Sequence, residues 1–409
     1  MSTRNHWIAA GFVVGGAVSA TFGMIVRDRM DLPMVSRGPF GEAGPLVASR
    51  DNHQDLTEIP EREYFEQMSE LLKREYVDPI GDDQKLIAGA VRGMVGSLED
   101  PRSLFMDADQ FRVFQEARKG SYEGIGVDFK LVLPPKKTDA ADGPFMRVPK
   151  LVIAAVVPGG PADQAGLKPG DVVDTLDAHW VLNNDLLDAF RDLQRKVLAK
   201  QASSEALRKM REDLRTRMDK SMMPMRARER MLVGTDGSVD LIVLRNGKPV
   251  TAKIARGKST LTPVTLKDGV FVVHLQPGVG EALTSQLPKT GQVKLDLRNN
   301  AFADTDVLLE ALRALAPSGN YGVIANERGK TTPLTVANGR ADKLTYSIRV
   351  DRSTASAAEI LSLALAEKGL AKLEGGSVAG DPTVAEVIKL PDGSGFTLLR
   401  GNYRAEVKK

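Results

Sequence analysis

Apolar residues recur at helical spacing through Tyr64, Met68, Leu71 and Leu72, and again through Leu86, Ile87, Ala90, Val91, Met94, Val95 and Leu98. Two amphipathic helices are predicted there. A third stripe, Leu207, Met210, Leu214, Met218, Met222 and Met225, predicts a helical insertion with Ser203 or Ser204 placed to cap its start. The run Val239 to Leu244 reads as a strand, and Arg245-Asn246-Gly247-Lys248 as the hairpin turn that follows it. From about Leu261 the pattern changes. Strands at Val270 to Leu275, Val293 to Leu297, Tyr321 to Ala325 and Leu344 to Val350 alternate with helices near Asp306 to Leu315 and after Ser356, as in an α/β core. The helix that starts near Ser356 is apolar nearly all round: Ile360, Leu361, Leu363, Ala364 and Leu365 precede Glu367, Lys368 and Gly369. It is predicted to be buried, with its polar start, where backbone N–H groups lack helical partners, as its reactive surface. Leu390 to Gly395 then turns one strand, Val384 to Lys389, into another, Phe396 to Leu399.

Composition narrows the function classes. A chain of 409 residues exceeds one ordinary core, so two or three domains are expected. A net charge of +3 and the lack of zinc-finger or aromatic RNA-binding signatures argue against nucleic acid. The absence of cysteine excludes disulfides and thiol chemistry, and histidines at 6, 53, 179 and 274 are too scattered for a metal site. No cofactor is expected. His274, in Val272-Val273-His274-Leu275, reads as a strand residue with a satisfied hydrogen bond, and no Ser-His-Asp triad is visible.

Residues 7 to 26 carry no charge and are long enough to cross a bilayer core of about 30 Å. They read either as a membrane anchor or as a cleaved signal peptide, since Val18-Ser19-Ala20 suits a peptidase. Only Arg4 precedes them while Arg27, Arg29 and Arg37 follow, so charge alone would leave the body in the cytoplasm. Residues 28 to 60 carry Pro, Gly and Ser without a sustained period, as a tether does.

The segment Ser353-Thr354-Ala355-Ser356-Ala357-Ala358-Glu359 resembles the nucleophile segment of the carboxy-terminal processing, or tail-specific, serine proteases. Gly124-Ile125-Gly126-Val127 and the element Pro158 to Val173, with Pro161, Gly166, Gly170 and Asp171 at fixed offsets, together resemble a PDZ domain. Leu98 to Phe105 and Asp296-Leu297-Arg298-Asn299-Asn300 also resemble family elements. The resemblance implies a multi-domain α/β protein: a helical N-terminal domain (61–118), a PDZ domain (119–257) with inserted helices at about 186–231, and a crotonase-like protease-type core (261–409). Segments 1–27 and 28–60 would be anchor or signal peptide and linker. It also implies an extracytoplasmic location, periplasmic or cell-envelope, against the arginine count. Ser356 falls on the nucleophile position. The general base, a lysine twenty-five residues on, corresponds to Asp381, and the family glutamine to Ala385. Ala301-Phe302-Ala303 replaces the Pro-Gly-Gly whose bare backbone helps hold the oxyanion. A carboxylate with an ordinary pKa near 4 is a weak base for a serine hydroxyl.

The expectation is therefore a tethered or released PDZ protein that binds polypeptide C-termini or unfolded chains at Gly124, Ile125, Gly126 and Val127, with little or no proteolysis. The alternative is an active endopeptidase using Ser356 with Lys372 or Lys389 as base. Asp296 and Arg298 read as a structural ion pair, and Asn299 and Asn300 as turn formers. Between Leu186 and Met231, thirteen Lys or Arg face seven Asp or Glu, a solvated basic face that keeps a protein partner in play.

Overall fold

In the computed structural model, residues 61–81, 83–135, 147–340 and 344–405 are described. The expected anchor and tether lie outside them. Among the described residues no helix is long and apolar enough to cross a membrane. The chain divides into a unit of residues 1–86 with 135–146 and a larger unit of residues 87–134 with 147–409.

Helices α1 (Glu61–Glu75) and α2 (Asp83–Ser97) form where the apolar spacing predicts them, and Lys73 pairs with Asp83 at 2.9 Å. The larger unit continues with β1 (Phe105–Met106), α3 (Ala108–Ala117) and β2 (Ser121–Tyr122). Asp107 caps α3 by accepting a hydrogen bond from the Gln110 amide.

A seven-stranded sheet follows, built from β3 (Val127–Val132), β4 (Lys150–Val156), α4 (Pro161–Gln164), β5 (Val172–Leu176), β6 (His179–Val181), α5 (Asn184–Leu198), α6 (Ser204–Asp219), β7 (Ser221–Met222), α7 (Pro224–Leu232), β8 (Ser238–Arg245) and β9 (Lys248–Ala255). Its order is β3-β4-β5-β6-β7, with β8 on β5 and β9 on β8, so β3 is an outermost strand with one edge unpaired. Ile125, Val127, Leu151, Ile153, Leu176, Val239, Leu241 and Met231 fill its core. Asn246 and Gly247, at φ 51° and 76°, make the β8–β9 turn, a conformation that Asn-Gly adopts at little cost.

The Leu and Met stripe does not run through one helix. Ser203 caps α6, but the helix stops at Asp219, and Met222 and Met225 fall in β7 and α7. The break has a backbone cause: Trp180 donates to Lys220 O and Leu182 to Met222 O, so carbonyls that would have continued the helix serve a parallel pairing with β6. Pro224 then starts α7, where its missing N–H costs nothing. Leu214 and Met218 pack on Trp180, while α6 buries no residue fully and carries the pairs Arg208–Glu205 and Arg217–Asp213 on its surface.

The remaining elements are β10 (Ser259–Thr260), β11 (Val264–Lys267), β12 (Val270–Val273), α8 (Val279–Gln286), β13 (Gly291–Asp296), α9 (Thr305–Leu315), β14 (Gly319–Ala325), β15 (Thr331–Val336), β16 (Leu344–Val350), α10 (Ser356–Glu367), β17 (Ala371–Gly375), β18 (Thr383–Lys389) and β19 (Gly395–Arg404). One sheet has the order β11-β12-β13-β16-β17, parallel from β12 onward; the other has β1-β19-β14-β15 with β18 on β19. Helices α8, α9 and α10 cover apolar strands, and Leu295, Leu297, Ile348, Leu308, Leu312, Ile360 and Leu361 are buried together.

His274 departs from expectation. It sits just beyond β12, 7% exposed, and its Nδ1 has no hydrogen-bond partner. Burial lowers its pKa, with Asp296 opposing. The unfolded chain therefore binds this proton more tightly, so stability is intact above the unfolded value of about 6.5 and falls as pH drops toward the depressed folded value, by at most about 1.4 kcal/mol per pH unit. Urea unfolding at pH 8 and pH 5.5 should show a larger acid loss for the wild type than for His274→Gln. Equal losses would show that folding does not lower the pKa of this imidazole. The double difference cancels other titrating groups.

Candidate functional site

The carboxyl ends of β13 and β16 lie side by side, where open α/β sheets place their sites. The two loops that leave them are bonded together. The Asn300 amide donates to Ser353 O at 3.0 Å, the Ala355 amide to Asn300 O at 3.0 Å, and the Asn299 amide to Ser353 Oγ at 2.8 Å. Asn300 is more than a turn former. Its side chain accepts from the Leu275 amide at 2.8 Å and donates to Val273 O at 2.8 Å and Leu297 O at 2.9 Å, tying the ends of β12 and β13 together. Asn299, at φ 59°, does take a turn conformation. Asp296 and Arg298 form an ion pair at 2.6 Å. Burial would raise the Asp296 pKa, but the Arg298 hydrogen bonds outweigh it and hold the carboxyl below its ordinary range.

Ser356 opens α10 with φ 50°, a left-handed conformation that costs a non-glycine residue about 1–3 kcal/mol. It is 7% exposed; its amide donates to Asp381 O at 3.0 Å and its hydroxyl to Thr383 O at 3.0 Å. Glu359, one turn along the same buried helix, accepts from the Asp381 amide at 2.9 Å, and burial raises its pKa against the backbone N–H bonds that lower it. The main chain of residue 381 is thus fixed against Ser356 from both sides. Its side chain turns elsewhere: Asp381 Oδ1 accepts from Arg102 Nη1 at 3.1 Å, and Arg102 is held in turn by Asp100 at 2.9 Å.

A cavity of about 160 Å³ faces Ser356. Ala301, Phe302, Asp381 and Ala385 line it, as do Asp128 and Lys130 of β3 and Arg228 of α7; neither Lys372 nor Lys389 does. Lys389 lies at the far end of β18 from Thr383, about 20 Å away at the rise of an extended strand, so it is no base for Ser356. Phe302 packs on Phe114 with ring centroids 5.4 Å apart. Asp128 is pushed up to about 6 by burial, against the opposing pull of Arg228 and of the Tyr122 hydroxyl.

The loop Gly124 to Val127 leads into β3 as expected, but not all its donors are free. The Ile125 amide donates to Met231 O at 3.0 Å at the end of α7, so one N–H assigned to a carboxylate is used within the fold. Gly124, at φ 74°, comes so close to Met231 O that an added Cβ would lie 2.0 Å from it. Arg102, Asp128, Lys130 and Arg228 were not legible as site residues. Arg228 is one of thirteen basic residues in a basic run, and only the packing of α7 beside β3 sets it apart.

Two family models match the chain. One, described as "Peptidase family S41", covers residues 281–408, and the other, "Activating protease CtpB N-terminal domain", residues 42–110. The carboxy-terminal processing protease CtpB of Bacillus subtilis is 26% identical over 399 residues, 96% of this chain and 72% of that protein. A probable CtpA-like serine protease of Staphylococcus aureus is 25% identical over 324 residues, 76% of this chain, which spans only 55% of that protein's length. Among solved structures, the photosystem II D1 C-terminal processing protease superposes with a TM-score of 0.54 at 20% identity, covering 85% of this chain and 89% of that one, a likeness of fold. The two family models and these relatives support a carboxy-terminal processing protease family for this chain, and its mixed α/β architecture resembles that solved fold.

Proposed function

We propose that this protein is a PDZ-containing member of the family that binds polypeptide C-termini and cleaves them poorly or not at all. The observation that carries this reading is the pairing of Asp381 with Arg102. The residue whose main chain is clamped against Ser356 offers a carboxylate already engaged by a guanidinium, and the Ser356 hydroxyl donates to a carbonyl instead of facing a base. A neutral serine without such a base is a poor nucleophile. Ala385 and Phe302 add a missing polar group and a side chain where backbone should approach the substrate.

The seven-stranded sheet, read as the PDZ domain, would take the peptide as an added strand on the free edge of β3. The Gly126 amide at the strand's start remains for the terminal carboxylate. We place the protein outside the cytoplasm, tethered by residues 7–26 or released from them, as an adaptor or regulator. Its partners would be polypeptide ends or unfolded proteins, with the basic inserted helices as a further surface for a protein partner.

A peptide with a free C-terminal carboxylate should bind at least about tenfold more tightly than its amidated twin, since a charge-assisted hydrogen bond is worth roughly 1.5 kcal/mol or more. Fluorescence anisotropy on the purified chain measures the ratio. Equal affinity across a diverse peptide panel would leave the domain a scaffold only.

A further inference from the structure

Arg228 projects from α7 into the cavity before Ser356 and is only 8% exposed. Among the described residues its guanidinium makes no hydrogen bond and no ion pair; Asp128 and Asp107 act on it only at longer range, and burial lowers its pKa despite them. A largely buried guanidinium without a hydrogen-bonded counter-charge is costly, because its donors keep only limited access to water. Two more cations on the cavity wall, Lys130 and Arg352, also enter no ion pair among the described residues, whereas Arg102 is already matched by Asp100 and Asp381. The cavity also meets the first turn of α10, a twelve-residue helix whose N-terminal dipole favours negative charge.

The geometry points to a carboxylate-receiving site: Arg228 binds a carboxylate carried by the peptide that docks along β3. The inference rests on the peptide-binding reading above and adds what the peptide must carry. Asp128, Phe129 and Lys130 of β3 and Arg228 and Leu232 of α7 line the same cavity. A strand antiparallel to β3 with its end near Val127 advances about 3.3 Å per residue. Its side chains two or three positions before the end therefore pass alongside Asp128 to Lys130 and reach the cavity that Arg228 lines. An Asp or Glu side chain there would give Arg228 its missing partner. A terminal carboxylate seated deeper would supply the same chemistry. Asp128 opposes any such anion, which makes Arg352 and Lys130, whose charge also acts on Glu359, part of the balance.

The test uses the full chain and fluorescein-labelled alanine-serine decapeptides in four forms: glutamate or glutamine third from the end, each with a free or an amidated terminus. The side-chain source predicts that glutamate binds at least tenfold more tightly than glutamine with either terminus, that Arg228→Gln abolishes this ratio, and that Arg228→Lys retains part of it. A free-terminus preference that disappears in Arg228→Gln, with glutamate and glutamine equal, assigns the same site to the terminal carboxylate. Binding that shows neither preference, a preference that survives Arg228→Gln, or no binding of any of the four peptides overturns the inference. Mass spectrometry of the same mixtures keeps the two readings apart: cleaved peptide would strike the non-cleaving function and leave the Arg228 assignment to stand or fall on the affinity ratios.

Discussion

Asp381→Lys combined with Ala385→Gln is expected to leave the chain without Ser356-dependent cleavage, although it restores both missing family side chains. Arg102 Nη1 lies 3.1 Å from the Asp381 carboxylate, so an ammonium introduced there meets a like charge. At about 4 Å such a pair costs roughly 1 kcal/mol in water and about 4 kcal/mol at the effective dielectric of a protein surface. The new lysine would turn away from Arg102 or lose its proton. The second obstacle is Phe302, which lines the cavity and is anchored on Phe114, with ring centroids 5.4 Å apart. Losing a single oxyanion donor removes about 3 kcal/mol of transition-state stabilisation, two orders of magnitude in rate. Cleavage should appear only once Phe302→Gly and Ala303→Gly are added. That quadruple variant should also be less stable by on the order of 2 kcal/mol, below the 3–5 kcal/mol of a fully buried phenylalanine because Phe302 is partly exposed. Peptide hydrolysis followed by mass spectrometry, with thermal melts of each variant, checks both effects. Strong activity in the double variant alone would show that the loop at Ala301 to Ala303 still stabilises an oxyanion.

Much of this site was legible in the chain because its elements are local. The apolar run from Ile360 to Leu365 fixes α10 as buried, and alternation fixes β13 and β16, which brings Ser356 to a strand end. Asn246-Gly247 announces its turn because few other pairs adopt two successive positive φ angles. What could not be read depends on contacts distant in sequence. The stripe from Leu207 to Met225 has uninterrupted helical spacing, and only pairing with β6 shows why it breaks at Asp219. His274 has the sequence surroundings of an ordinary strand residue, and its orphaned Nδ1 follows from packing alone. Asn300 resembles a turn residue until its amide is seen joining the ends of β12 and β13. Arg102 and Asp381 are separated by 279 positions, and Arg228 looks like any other arginine on a basic helix.

The wild-type chain itself carries the second large effect. A general base contributes about 10²–10⁴ in rate and an oxyanion donor about 10²–10³. With Asp381 tied to Arg102 and Phe302 filling the loop position, turnover should lie on the order of 10⁴-fold or more below that of an intact family member. Replacing Ser356 should then remove nothing that was present. The direct measurement is cleavage of an unfolded protein by purified wild-type chain beside Ser356→Ala, at equal concentration and over hours. The account predicts that the two are indistinguishable from each other and from buffer. Robust proteolysis by the wild type that vanishes in Ser356→Ala would contradict it, and would turn attention to Lys130, the lysine that lines the cavity, as the base.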